Sequence, residues 1–177
     1  QCNIILFFFM VLTLYFYRTN KDVYAGISLA MACVIKVIPC FLLAYFLWKR
    51  QFKVFAAGVL TLFILFVYSL LFFDVELYVW YFKFMSNQTL FNAFHDNHAI
   101  TGFFTRLLAH TMWTRGIWNN PMAAKVCIAL SSMAIIAVFF IITRKRCEPE
   151  DDRTLHGYGL AIITMLLLSK MTSTPYL

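Results

Sequence analysis

The run AAGVLTLFILFVYSLLFF, from Ala56 to Phe73, holds eighteen residues without a charge. A helix of that length crosses the hydrocarbon of a bilayer. A second run, AAKVCIALSSMAIIAVFFII, covers Ala123 to Ile142. No core that 177 residues can build hides so much apolar surface: 62% of the chain is hydrophobic and 13% charged, against about 45–50% and 25% in an ordinary soluble domain. The expected fold is all-α, a polytopic transmembrane helix bundle with amphipathic helices in one large external loop.

Five spans follow from apolar runs of helical length. They cover Ile4 to Tyr17, Tyr24 to Trp48, Ala56 to Phe73, Ala123 to Ile142 and a weaker stretch from Leu155 to Leu168, interrupted by Gly157 and Gly159. All belong to a single transmembrane domain over residues 1–177. The chain starts at Gln1 and enters an apolar run almost at once, so it is expected to be a piece of a longer protein.

The net charge of +7 needs no nucleic acid as partner, because basic residues collect in cytoplasmic loops. Lys49, Arg50 and Lys53 lie between the second and third spans. Arg144, Lys145, Arg146 and Arg153 follow the fourth, accompanied by Glu148, Glu150, Asp151 and Asp152. Both connections therefore read as cytoplasmic, which puts residues 74–121 outside. The short RTNKD connection, Arg18 to Asp22, would share that outer side and runs weakly against the rule. Multi-pass insertion in a bacterial inner membrane is the expected setting. The five cysteines show no CxxC spacing, and three sit in apolar runs, so they read as structural thiols and not as metal ligands.

The external loop has a pattern of its own. From Ala99 to Met112, apolar residues recur at helical spacing (Ile100, Phe103, Phe104, Leu107, Leu108, Met112), opposite Thr101, Thr105, Arg106 and His110. This is the pattern of an amphipathic helix at a membrane surface. Val75 to Met85 is rich in the aromatics that anchor at headgroup level. Asp74 and Glu76 open the loop as interfacial helix-end charges. Asn87, Gln88 and Thr89 fit a glycosylation sequon, which matters only in a secretory compartment.

Lys36 is the costliest residue, since a charge at the centre of a span costs about 3 kcal/mol on insertion scales. Ala25, Ser28, Ala32, Cys33, Cys40 and Ala44 form a small-residue face around it, and Ile27, Val34, Ile38, Phe41 and Tyr45 lie opposite. Lys36 is therefore expected to face into the bundle, beside a kink at Pro39. Two roles stay open: contact with an anionic group such as a lipid phosphate, or an ion pair with a carboxylate. HDNH, His95 to His98, carries ligand-type residues but matches no zinc spacing; capping of the next helix by Asp96 or Asn97 is the expected use. Arg106, one turn from His110, would either clamp a phosphate or snorkel to headgroups.

Three segments resemble the membrane glycosyltransferases of family 87, in the GT-C superfamily. The first is GISLAMACVIKVIPCFLLAYFLWKRQFK, whose Gly26, Lys36, Pro39, Lys49, Arg50 and Phe52 follow the family order. The second is NHAITGFFTRLL, where Asn97, Gly102 and Arg106 match and His98 and Ala99 depart. The third is LLLSKMTSTPYL, where Ser169, Ser173 and Tyr176 fit while Lys170 replaces a proline. The resemblance implies transfer of a sugar, mannose in many members, from a polyprenyl-phosphate donor to a lipid or glycan acceptor on the external face. Lys36 and Arg106 would bind the donor phosphate, and Asn97, His98, Ser169 and Tyr176 are further site candidates. No metal or cofactor is implied. The family's general base is an aspartate of a first external loop, expected upstream of this chain. A transporter or flippase subunit for an anionic or lipid-linked solute is the alternative, since an intramembrane lysine beside a proline suits it too.

Overall fold

The structure, a computed structural model, describes residues 2–87, 99–110, 115–144 and 151–169. These form eight α-helices and no strand: α1 (Cys2–Arg18), α2 (Asp22–Ile35), α3 (Cys40–Trp48), α4 (Phe52–Ser69), α5 (Val75–Asn87), α6 (Ile100–Leu108), α7 (Pro121–Ile142) and α8 (Asp152–Leu168). Two of them, α4 and α7, are long and apolar enough to cross a membrane. At the α-helical rise they measure about 27 and 33 Å, against a hydrocarbon core of about 30 Å. Much of their apolar surface points outward, with Phe63, Ile64, Leu130, Met133 and Ile141 all exposed. The chain divides into two compact units, one of residues 1–79 and 143–162, the other of residues 80–142 and 163–177.

In the first unit, α1 and α2 pack as an antiparallel pair. Their contacts step along both helices: the Phe16 and Tyr24 rings are 5.6 Å apart, Ser28 Oγ donates to the Phe9 carbonyl at 3.1 Å, and Lys36 Nζ donates to Asn3 Oδ1 at 3.2 Å. The connection is tight because Asn20 takes a left-handed φ of 56°. The Lys21 amide can then reach back to the Phe16 carbonyl at 2.9 Å, the six-to-one closure of a helix end.

The single helix expected over 24–48 is two helices. Pro39 offers no amide, its ring clashes with the carbonyl four residues back, and it pushes Ile38 away from helical torsions. The helix accordingly ends at Ile35, and Lys36 is extended, at φ −147° and ψ 136°. The Cys40, Phe41 and Leu42 amides bond to Val37, Ile38 and Pro39 instead of to α2.

α3 then turns back along the way α2 came. A straight helix would carry Phe46 about 33 Å beyond Tyr24. Instead the Phe46 ring lies 5.1 Å from that of Tyr17, at the opposite end of α2 from Lys36. The reversal also resets the helical phase, which corrects the faces read from spacing: Tyr45 is buried and Ala44 exposed, the inverse of the expectation. On α2 itself the small-residue face, with Ala25, Ser28, Ala32 and Cys33, is buried as expected.

A second left-handed residue, Arg50 at φ 57°, closes α3 in the same way, with the Gln51 amide on the Phe46 carbonyl at 2.9 Å. α4 starts at Phe52, four residues before the expected span, and ends at Ser69. It crosses α2 where two glycines meet. A Cβ on Gly26 would stand 2.5 Å from the Val54 carbonyl oxygen and 2.8 Å from the Gly58 amide nitrogen, so only glycine admits this approach. The first part of α8 completes the unit: the buried Tyr158 hydroxyl donates to the Met10 carbonyl at 2.9 Å, and its ring meets those of Tyr45 and Phe46.

The second unit is built on α6 and α7, which pack together. Asn120 caps α7 by accepting from the Ala123 amide at 3.1 Å, and Pro121 follows at the first helical position, where a missing amide costs nothing.

Candidate functional site

Lys36 stands where two helix ends meet. The broken backbone turns its side chain out of the α2 series, so it is half-exposed and not enclosed by the small-residue face. The continuous helix on which its inward placement rests is not formed, and the side chain reaches across to α1. Its partner among the described residues is an amide, Asn3 Oδ1, and not the carboxylate allowed for above. Asn3 accepts one of the three ammonium donors without neutralising the charge. The site thus sets an amine and an amide beside an interrupted helix, a pairing suited to an anionic ligand. Cys33 and Cys40, on either side of the break, are free thiols.

At the other end of α2 and α3 lie further cations of this unit, Lys49 and Arg18 among them. Lys49 Nζ donates to the Thr143 carbonyl at 2.8 Å and lies 5.8 Å from the Tyr45 ring centre. Arg18 reaches Asp152 at 3.9 Å, with both side chains well exposed. Such an exposed pair contributes little stability, but it fixes which chain ends are neighbours.

In the second unit, α6 presents a reversed amphipathic pattern. Thr101, Gly102, Thr105 and the following Ala109 are buried, whereas Phe103 is 56% exposed. The threonines and small residues pack inward while Phe103 points away and Ile100, Phe104, Leu107 and Leu108 are half-buried. Both threonine hydroxyls find acceptors: Thr105 Oγ1 bonds the Thr101 carbonyl at 2.6 Å, and Thr101 Oγ1 the Ser169 carbonyl at 3.4 Å. Ser169, a candidate from the third matching segment, is therefore buried against the helix that carries Arg106.

Ala99 occupies the N-cap place that the sequence reading gave to Asp96 or Asn97. The helix stops at Leu108 instead of running to Met112, because the returning chain takes over its last carbonyls: Ile117 donates to Leu107 and Asn120 to Leu108. Gly116 permits that return, since a Cβ there would meet the Ala109 backbone at 2.9 Å. Arg106 is half-exposed in the last turn.

The candidates thus fall into two groups, Lys36 in one unit and Arg106 with Ser169 in the other. Asn97, His98 and Tyr176 lie outside the described residues, as does HDNH. Among the described residues, no three His, Cys, Asp or Glu side chains are grouped to hold a metal. Sequence reasoning missed Asn3 as partner of Lys36 and Thr101 as partner of Ser169, contacts across 33 and 68 residues that no local spacing signals.

A sequence model described as Glycosyltransferase family 87 matches residues 1–169. Comparison with curated proteins and with solved structures gives no match.

Proposed function

The chain belongs to glycosyltransferase family 87, and from that premise we propose that it moves a sugar from a polyprenyl-phosphate donor to a lipid or glycan acceptor. That it is a membrane glycosyltransferase, with a sugar donor and an acceptor, follows from the family; mannose as the sugar and the lipid-linked donor are the finer reading. The family match over residues 1–169 supports the transferase reading. We further take the enzyme to be of the GT-C type, multi-pass in a bacterial inner membrane, with the reaction on the external face.

In this reaction an acceptor hydroxyl attacks C1 of the sugar, the bond from C1 to the phosphate oxygen breaks, and the phosphate leaves with the electron pair. The acceptor proton goes to a general base, which the family pattern assigns to an aspartate of a first external loop. Charge builds on the leaving phosphate, so fixed cations beside it lower the barrier. Lys36 and Arg106 are the residues proposed for that task. Supporting observations are the pairing of the Lys36 amine with Asn3 and the position of Arg106 in the last turn of α6. A lipid-embedded donor also suits a chain whose helices expose apolar surface to lipid.

The test is transfer from polyprenyl-phosphate-mannose, measured in membranes that hold the full-length protein. Lys36→Met and Arg106→Gln are each expected to lower donor use by at least tenfold at unchanged protein level. Undiminished transfer in both would remove these residues from the donor site. No transfer by the unaltered protein from this donor, with transfer from another lipid-linked sugar, would overturn the mannose assignment alone.

A further inference from the structure

We infer that residues 22–48 form a re-entrant helical hairpin, which enters and leaves the bilayer on one face and carries Lys36 at its tip. The contacts of the first unit require α2 and α3 to begin and end together. Tyr17, next to the turn into α2, touches Phe46, next to the turn out of α3, with ring centres 5.1 Å apart. Gly26, in the first turns of α2, abuts Val54, Ala57 and Gly58, in the first turns of α4. Lys49 Nζ reaches Thr143 and Arg18 reaches Asp152, so Thr143 and Asp152 lie at this same end.

The lengths agree. α2 has 14 residues and α3 has 9, about 21 and 14 Å of helix. Neither crosses a hydrocarbon core of about 30 Å, and running back to back they do not cross it together. Unwound backbone at membrane depth is tolerated where protein or water covers its polar groups, and the Lys36–Pro39 break lies against the start of α1 through Asn3.

Charge gives an independent argument. With a spanning helix over 24–48, Arg18 and Lys21 would face the side opposite to Lys49, Arg50 and Lys53. With a hairpin, all five gather with Arg144 and Arg153 at one end, the arrangement that the positive-inside rule favours. The opposing RTNKD connection ceases to be an exception. Lys36 then sits about 21 Å from the basic face, past the bilayer midplane and within reach of the opposite headgroup region by snorkelling, which lowers the cost of its charge.

The inference is independent of the reaction proposed above and is tested by topology. In the full-length protein with its native cysteines replaced, single cysteines are introduced as Thr19→Cys, Lys53→Cys and Leu71→Cys, all at exposed positions. A membrane-impermeant maleimide is applied to intact and to permeabilised cells. The hairpin requires Thr19→Cys and Lys53→Cys to share one accessibility, opposite to that of Leu71→Cys. Labelling of Thr19→Cys together with Leu71→Cys overturns it. Should the cysteine-free background not accumulate, protease sites inserted after Asn20 and after Arg50 in the native chain answer the same question. Cleavage of both in inside-out vesicles and of neither in intact cells supports the hairpin; cleavage on opposite sides refutes it.

Discussion

Asn3 Oδ1 accepts a hydrogen bond from Lys36 Nζ at 3.2 Å, joining the first turn of α1 to the break between α2 and α3. The amide holds the ammonium by one donor and leaves its charge intact, so the pair positions a cation. Asn3→Ala should therefore weaken donor binding less than Lys36→Met does. A hydrogen bond to a charged group contributes about 1.5–3 kcal/mol when buried, and the exposure here reduces that, so about a threefold to tenfold rise in KM for the donor is expected. Steady-state kinetics in proteoliposomes check it. Equal losses in the two variants would mean that Asn3 touches the ligand itself.

Gly26 and Gly159 give a contrast within one protein. A methyl at Gly26 collides with backbone atoms of α4, whereas one at Gly159 meets nothing within 4 Å. Overpacking costs about 1–3 kcal/mol, and backbone neighbours cannot rotate away, so Gly26→Ala is expected at the upper end. Gly159→Ala should be neutral or stabilising by up to about 1 kcal/mol through helix propensity. Thermal unfolding in detergent, followed by tryptophan fluorescence, separates the two. A neutral Gly26→Ala would contradict the close crossing of α2 and α4.

Much of this organisation is legible in the sequence, and the exceptions have physical causes. The apolar runs mark α1, α4, α7 and α8 within a few residues, because period and length are local properties. The small-residue face of α2 is local too. Pro39 was visible as a disturbance, but a proline that kinks a helix and one that reverses it look alike from sequence. What selects reversal is distant: Phe46 against Tyr17, and Tyr45 and Phe46 against Tyr158. Once the chain turns, the helical phase carried through the break no longer applies, hence the error at Ala44 and Tyr45. On α6 the periodicity was right, and the structure adds that the threonine face is the buried one.

Tyr158 anchors the start of α8 to α1 through a buried hydrogen bond, from its hydroxyl to the Met10 carbonyl at 2.9 Å. Tyr158→Phe keeps the ring contacts with Tyr45 and Phe46 and removes the hydroxyl. The Met10 carbonyl is already engaged in its own helix, so the loss is expected near the net value of one hydrogen bond, about 1 kcal/mol. Tyr158→Ala empties an aromatic site as well, and about 3–5 kcal/mol is the range for such a truncation. Unfolding midpoints of both variants test the ordering. A Tyr158→Phe loss as large as that of Tyr158→Ala would assign the stabilisation to the hydroxyl and not to the ring.

Asn120 begins the longest of the eight described helices, with its side chain on the Ala123 amide and its own amide on the Leu108 carbonyl at 3.0 Å. The side chain caps α7 while the backbone seals the end of α6, so the residue couples the helix that carries Arg106 to a membrane-length helix. Asn120→Ala removes the cap and leaves the backbone contact, with an expected loss of about 1 kcal/mol. Asn120→Pro deletes the amide that seals α6 and sets a proline before Pro121, so it should also disturb Arg106. The predicted outcome is near-normal donor kinetics for Asn120→Ala and a raised KM for Asn120→Pro at matched protein level. Donor kinetics unaffected by Asn120→Pro would show that Arg106 does not depend on this junction.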